Sequence, residues 1–175
     1  MEFIKKNRSA AALILVVVIV LSVLFGSWRS VSGIANELER EFTKKDKYGE
    51  TVKGTFDALI MHINVFVSEY EAVLGACPEI TALREYAELS SEDGTESPAA
   101  FTDVDFIRNS AVLMHQRLDK SGNYTAEAKA AYAGIDNAVS ILKKYDSYNA
   151  AAKKYNDAAE TIGGSLFGLQ RAIEF

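Results

Sequence analysis

The stretch from Ala10 to Trp28 reads AAALILVVVIVLSVLFGSW and contains 19 residues without a charge. At 1.5 Å of rise per residue, a helix of this length extends about 28 Å, close to the thickness of the hydrocarbon core of a bilayer. The run is longer and more uniformly apolar than an ordinary core helix. It therefore predicts a membrane-spanning helix over residues 10–28.

The residues on either side of this stretch are of the kind that anchor a span at the two membrane surfaces. They are Lys5, Lys6, Arg8, Trp28 and Arg29. Short segments rich in lysine and arginine stay in the cytoplasm, and tryptophan is enriched at the membrane interface. We therefore expect the basic N-terminus, residues 1–9, to be cytoplasmic and the domain after the span to lie outside the cytoplasm.

A cleaved signal peptide is the alternative, because it has the same charged start and apolar middle. Two features favour the span. The apolar run is longer than a usual signal core, and the exit sequence LFGSWRS lacks the small-x-small pair that a signal peptidase needs.

Composition leaves room for one folded domain over residues 29–175 and argues against several classes of function. Charged residues make up 25% of the chain and hydrophobic residues 49%, as in an ordinary folded protein. A net charge of −5 without a basic stripe argues against nucleic-acid binding. Cys77 is the single cysteine, which excludes an intramolecular disulfide and a cysteine-only metal site. We expect Cys77 to be a packed, small apolar residue.

Helical spacing continues beyond the apolar run. Apolar residues recur at three- and four-residue steps at Val31, Ile34, Leu38 and Phe42, which predicts that the first helix continues past the membrane. The polar segment 44–49 then predicts an interruption, although one helix running on to residue 75 is an open alternative.

The next segment has the most regular pattern in the chain. Its apolar residues are spaced 4-3-4-3-4-3, as in a coiled-coil seam: Val52, Phe56, Leu59, Ile63, Phe66, Tyr70 and Val73. The seam is widened by Ile60, Val67 and Leu74, which favours a helix packed against several others. Gly75 and Pro78 predict its end, and a short helix is expected from residue 79 to residue 89.

A polar segment separates the two halves of the domain. Residues 90–100 read SSEDGTESPAA and predict a solvated, mobile loop. Thr102 and Asp105 then resemble a capping box, and the helix after them has an apolar stripe of Val104, Ile107, Ala111, Met114 and Leu118.

The last helix is predicted to start near Thr125 and to run unbroken to Ile162. Its apolar stripe consists of Tyr132, Ile135, Val139, Leu142, Tyr145, Tyr148, Ala152, Tyr155, Ala159 and Ile162. No segment has the pattern of a β-strand. The sequence therefore predicts an all-α fold, in which an N-terminal transmembrane helix precedes an antiparallel bundle of about four helices.

A repeated pair is the most distinctive local motif. Tyr148-Asn149 and Tyr155-Asn156 are separated by seven residues, so the two tyrosines share one helix face and the two asparagines share the adjacent face. Each tyrosine can bury its ring and keep its hydroxyl at the surface. The asparagines can bond to a neighbouring helix and fix its register, or they can form a polar ladder that binds a partner.

With this motif, the last 45 or so residues resemble the LemA family of bacterial membrane proteins. The family has a repeated Tyr-Asn pair followed by an apolar tail, which here reads Ser165-Leu-Phe-Gly-Leu169 and ends at Phe175. The chain departs from the family at Gly163-Gly164, where members usually have Phe-Pro. The resemblance implies a divergent member: a single-pass, bacterial inner-membrane protein with a LemA-like helical bundle over residues 29–175.

The sequence contains no recognisable catalytic motif. His62 and His115 are the only histidines, and no spacing pairs them with each other or with a nucleophile. A glycine-rich phosphate loop, a His-Glu metal helix and a nucleophile elbow are all missing from the sequence. We therefore expect no enzyme activity, no cofactor and no metal. An enzyme acting on envelope substrates stays as an alternative.

Two non-enzymatic functions follow as hypotheses. The first is a scaffold or protein-interaction module at the membrane, whose partners are the lipid bilayer, other proteins and a second copy of the chain. The alternative is an extracytoplasmic bundle that senses a ligand but has no signalling domain of its own.

Overall fold

A computed structural model describes residues 8–92 and 104–161, together with Ala172 and Phe175. Within these residues the chain forms six α-helices and no β-strand, which confirms the predicted all-α fold with an apolar helix at its start. The helices are α1 (Arg8–Thr43), α2 (Val52–Leu74), α3 (Pro78–Glu92), α4 (Val104–Ser121), α5 (Ala126–Leu142) and α6 (Asp146–Ala159).

The first helix meets two environments along one unbroken length. Its apolar side chains from Leu15 to Phe25 are exposed, and its most apolar window is not buried against the rest of the protein. By length and composition this helix can cross a membrane. Further along, Leu38 and Phe42 are buried in the core. The predicted continuation of the helix beyond the apolar run is therefore confirmed.

A tight turn separates α1 from α2. The carboxylate of Asp46 accepts hydrogen bonds from the backbone N–H groups of Tyr48, at 2.7 Å, and Glu50, at 3.0 Å. Gly49 has a φ of 87°, a left-handed conformation that glycine adopts at no steric cost. These features end the first helix, so the alternative of one helix running on to residue 75 is wrong.

The predicted heptad seam is the buried face of α2. Thr51 caps the helix, because its hydroxyl accepts the backbone N–H of Gly54 at 2.8 Å. Six of the seven seam residues are buried, and the seventh, Val73, is partly buried against the core. Leu74 is 42% exposed, so its predicted place on the widened seam is wrong. Gly75, with a φ of 76°, ends the helix.

Four antiparallel helices, α2 to α5, form the bundle. The most extensive interface joins α2 to α5. Thr125 at the start of α5 donates to Glu69 near the end of α2, over 2.6 Å, and about two turns further along both helices Gly134 lies against the ring of His62. The stripe predicted for α4 is fully buried and consists of Val104, Ile107, Ala111, Met114 and Leu118.

Ion pairs between helices fix the positions of the outer helices. Arg84 on α3 pairs with Glu71 on α2 at 2.7 Å, and Arg108 on α4 pairs with Asp136 on α5 at 2.7 Å. All four side chains are 40–45% exposed. Such exposed pairs contribute little to stability, so their main effect is on alignment.

The last helix, α6, runs antiparallel to the C-terminal part of α1, beyond the exposed apolar segment. Lys154 pairs with Glu37 at 2.6 Å, and the ring centroids of Phe42 and Tyr148 are 5.7 Å apart. The buried carboxylate of Glu41 accepts hydrogen bonds chiefly from Lys44, and these bonds lower its pKa. Helix α1 is thereby attached to the bundle through α6.

The structure has two helices where the sequence predicted one from Thr125 to Ile162. Helix α5 ends at Leu142, and α6 begins at Asp146. Between them Tyr145 has a φ of −81° and a ψ of 67°, which no helix allows. Lys143 and Lys144 lie directly before this break, and Asp146 lies directly after it. Basic residues favour the C-terminus of a helix and acidic residues favour the N-terminus, so the sequence contained a signal for this break.

Three other predictions fall wholly or partly on residues that are not described. Helix α3 continues to Glu92, three residues beyond its predicted end, and the rest of the predicted loop, 93–100, lies outside the described residues. The predicted cap at Thr102 lies outside them as well, as does Ile162.

Glu79 at the start of α3 supports a pH-dependent prediction. The guanidinium of Arg117 on α4 donates to both of its carboxylate oxygens at 2.9 Å, and these bonds lower the pKa of Glu79 from the ordinary 4.5 to about 2. A lowered pKa in the folded state means that the pair stabilises the fold above about pH 4.5. That contribution is lost as the pH falls towards 2.

We expect Glu79→Gln to lower the urea midpoint of the purified full chain at pH 7. The difference from the wild type should shrink as the pH falls from about 4.5 towards 2, because the wild-type carboxylate then becomes protonated. Asp57→Asn is the control, since Asp57 pairs with Lys53 on an exposed helix face. A pH-independent difference for Glu79→Gln would contradict this account.

Candidate functional site

The four residues of the repeated Tyr-Asn motif lie on α6, and the structure places them in different surroundings. Tyr148 has no exposed surface, so the expectation that its hydroxyl stays at the surface is wrong. Tyr155 is half-buried, and burial raises the pKa of its hydroxyl. Asn156 is buried, and Asn149 is half-buried.

The two asparagines hold the C-terminal residues of the chain. Asn156 pairs with the backbone of Ala172 through two hydrogen bonds: its Nδ2 donates to the carbonyl over 3.0 Å, and its Oδ1 accepts the N–H over 2.7 Å. Asn149 Oδ1 accepts the backbone N–H of Phe175 over 2.9 Å. Sequence reasoning expected a neighbouring helix in this place. The asparagines instead pair with a segment that returns along α6.

The spacing of the asparagines matches an extended chain. Seven residues of α-helix rise about 10.5 Å, and three residues of extended chain reach about 10 Å. Asn156 and Asn149 therefore meet Ala172 and Phe175 in register, with the C-terminal segment antiparallel to α6. We call the surface formed by these two asparagines and the aromatic residues beside them the tail site.

Aromatic rings form the floor of the tail site where α1, α2 and α6 meet. The ring of Phe175 lies 5.3 Å from that of Tyr148 and 6.0 Å from that of Phe56, measured between centroids. Phe42 contacts both of these floor rings, at 5.7 Å and 6.5 Å. At such distances aromatic pairs add stabilisation beyond the area they bury. One ring of the C-terminal segment is thus inserted among rings of three helices.

A second concave feature is a groove of about 970 Å³ between α2 and α5, bordered by the turn after α1. Small residues of the two helices line it: Gly54, Ala58, Gly134 and Ala138. Side chains of both charges also line it: Asp46, Lys47 and Glu50 at the turn after α1, and Lys144 just after the end of α5. Its volume lies at the upper end of the range for small-molecule sites.

Two polar side chains of the groove have unusual surroundings. A Cβ atom at Gly134 would lie 2.5 Å from three atoms of the His62 ring, so the ring occupies space that only a glycine leaves open. The hydroxyl of Tyr145 is buried and has no hydrogen-bond partner among the described residues. Orphaned buried hydroxyls are uncommon, because an unmade hydrogen bond costs about 1–3 kcal/mol. Neither feature had a signal in the sequence.

The other histidine has structural contacts. The ring of His115 stacks on Tyr132 at 4.2 Å, and its Nδ1 lies 2.7 Å from the hydroxyl of Tyr124. Burial raises the pKa of that hydroxyl to about 12. No group of three metal-ligating side chains occurs in the part of the chain that the structure describes.

The predicted anchor residues are only partly described. Trp28 is 52% exposed, and its ring lies 6.1 Å from that of Phe25. Arg29 is also exposed. The structure does not describe Lys5 and Lys6, and it describes only the backbone of Arg8. Cys77 is partly buried against the core.

Comparisons with known proteins add no relative. No family model matches the sequence, and neither a curated protein nor a solved structure matches it.

Substituting the buried asparagine tests the tail site. We expect Asn156→Ala to destabilise the full chain by about 1–3 kcal/mol, because it leaves a buried N–H and a buried carbonyl of Ala172 without their partner. The amide of Ala172 should also exchange with solvent faster in hydrogen-exchange measurements.

Asp157→Ala is the matched control on the same helix, since its pair with Lys153 is exposed and should change stability by less than about 0.5 kcal/mol. Unchanged exchange at Ala172 in Asn156→Ala would show that the asparagine does not hold the segment.

Proposed function

We propose that this protein is a non-enzymatic, single-pass membrane protein that presents a helical bundle as a scaffold or interaction module at a bacterial inner membrane. The observation that carries the proposal is the continuity of α1, which joins an exposed apolar helix to the core of the bundle without a break. The resemblance of the Tyr-Asn motif to the LemA family supports the bacterial source and the family assignment that we propose with it.

The exposure of α1 supports the membrane anchor. Leu15 to Phe25 form an apolar surface that no other described part of the protein covers. Apolar surfaces of this size mark contacts with a membrane or with another protein, and the full apolar run of residues 10–28 matches the thickness of a bilayer at about 28 Å. Just after this apolar surface, α1 lies beside α6, where Ser27, Ser30 and Val31 border a shallow cleft with Ala158. The bundle would therefore begin at the membrane surface.

The lysine and arginine residues that precede this apolar surface are the basis of the orientation that we propose. The short N-terminus, with Lys5, Lys6 and Arg8, stays in the cytoplasm by the positive-inside rule. The bundle then lies outside the cytoplasm, where its partners would be envelope proteins.

The outer surface of the bundle offers places for protein partners. On α4, Phe106 and Leu113 are one heptad apart and are 43% and 47% exposed, so both face away from the core on the same side. On α2, Met61 is 56% exposed. Aromatic residues and methionine are enriched where proteins bind one another.

A crosslinking experiment in intact cells tests function and orientation together. Leu113→Cys is placed in a Cys77→Ala background and treated with a thiol-to-amine crosslinker that cannot pass a membrane. We expect discrete adducts with other proteins. Asn123→Cys, at an exposed polar loop position, is the matched control and should react with the reagent without giving the same adducts.

The outcomes separate the parts of the proposal. Adducts that form only after permeabilisation would place the bundle in the cytoplasm and reverse the orientation. Equal adduct patterns at residues 113 and 123 would reject the interaction surface. Recovery of the protein in the soluble fraction would indicate a cleaved signal peptide in place of an anchor.

The groove between α2 and α5 favours a second candidate function, the sensing of a small ligand. It combines a floor of small residues with the half-buried ring of His62 and the buried hydroxyl of Tyr145, which has no hydrogen-bond partner in the part of the chain that the structure describes. A largely apolar pocket with a few polar groups is the usual form of a ligand site.

A thermal-shift screen of small metabolites tests this second function. A ligand of the groove should raise the melting temperature of the wild type and lose this effect in Gly134→Ala, since the new methyl group must displace the His62 ring. Gly33→Ala is the control, because a Cβ there meets no atom within 4 Å. Equal shifts in both variants would exclude the groove as the site.

A further inference from the structure

At the two residues of the C-terminal segment that the structure describes, Ala172 and Phe175, the tail site forms its hydrogen bonds with the backbone. Asn156 bonds to the N–H and carbonyl of Ala172, and Asn149 bonds to the N–H of Phe175. All three hydrogen bonds can be made by any residue other than proline, because they involve no side chain of the bound segment. Of the two described residues of that segment, Phe175 contacts the floor through its ring. The occupant is thus defined as a peptide with an aromatic residue three positions after a small one.

The chain between α6 and the tail site is longer than the intramolecular arrangement requires. Thr161 lies about 7.5 Å beyond Asn156 along the axis of α6. The chain must therefore come back by about this distance for Ala172 to reach Asn156. The eleven residues from Thr161 to Ala172 can span up to about 37 Å when extended. This surplus length also allows Phe175 to reach a tail site on a bundle packed beside its own.

Membrane anchoring places the tail sites of two copies at the same height. Phe42, on the floor of the site, lies 14 residues after Trp28 on the same helix, or about 21 Å further along its axis. Two copies in one bilayer share this height and orientation, so the tail of one copy lies at the level of the other copy's tail site. Confinement to a membrane raises the effective concentration of the second copy.

We propose that the tail site is a peptide-binding site that exchanges its occupant between copies of this chain, so that the C-terminal segment of one copy binds between the asparagines and aromatic rings of a neighbour. The proposal rests on the membrane anchoring proposed above and names a partner for the interaction module. Exchange keeps all three hydrogen bonds and both ring contacts, which makes it a route to dimers at little cost in contacts.

A photocrosslinking experiment with two full-length copies in one membrane tests the exchange. The donor copy has the photoreactive residue p-benzoylphenylalanine in place of Phe175. The acceptor copy has a different affinity tag and the substitution Phe175→Ala, which removes the aromatic contact of its own tail. We expect donor–acceptor adducts that map by mass spectrometry to peptides around Phe56 or Tyr148.

The matched acceptor combines Phe175→Ala with Asn156→Leu, which keeps the number and branching of the side-chain heavy atoms but removes the hydrogen bonds. It should lower the yield of adducts about fivefold or more, while circular dichroism shows the same helix content. A donor with the photoreactive residue at the exposed position Lys129 measures adducts formed by random collision.

Three results would overturn the exchange. Adducts confined to the donor chain would mean that the segment binds only its own bundle. Equal yields with the two acceptors, or with the probe at residue 129, would mean that the asparagines do not select the segment. Adducts with a different protein in place of the acceptor would mean that the partner is not a second copy. In each case adducts at Leu113→Cys in the earlier experiment would leave the interaction function standing.

Discussion

One helix has to satisfy two environments, and the rest of the structure depends on how it does so. The apolar half of α1 is left uncovered, whereas Leu38 and Phe42 in its other half are buried. Burial of a large apolar side chain contributes about 1.5–3 kcal/mol, so these two residues require a neighbour along α1. Helix α6 supplies it, and the turn at Tyr145 exists because α6 must leave the axis of α5 to reach α1. The aromatic floor of the tail site then forms at the point where α1, α2 and α6 meet.

The pattern of apolar residues predicted the helices and their buried faces, since a helix of period 3.6 places its core residues at regular steps. In α4 every residue of the predicted stripe is buried, and in α2 the prediction fails only at the end of the seam, where Leu74 is exposed. The break between α5 and α6 was missed because the stripe continues across it: Leu142, Tyr145 and Tyr148 keep helical spacing while the backbone changes direction. The spacing of apolar residues predicts which residues face the core, but it does not predict where the helix axis changes direction.

The candidate sites were less predictable, because both depend on segments far apart in the sequence. The Tyr-Asn motif identified Asn149 and Asn156 as unusual, but the bonding partners of an amide side chain depend on where the chain returns. That return is made by residues 16 and 26 positions later. The groove between α2 and α5 was not predicted at all. The groove depends on small residues such as Ala58 and Gly134. The sequence pattern of a small residue in a helix is the same whether a side chain of the adjacent helix fills the space beside it or leaves that space open.

The unbroken backbone of α1 has a mechanical consequence. A helix without a proline or a bulge bends only gently, so its two halves incline together. Within a bilayer, an apolar helix that exceeds the hydrocarbon thickness accommodates the difference by tilting. A thinner membrane would then incline the part of α1 that contacts α6, and the buried contact between the rings of Phe42 and Tyr148 would transmit that inclination to the bundle. The thickness of the lipid layer would in this way set the angle at which the bundle faces its surroundings.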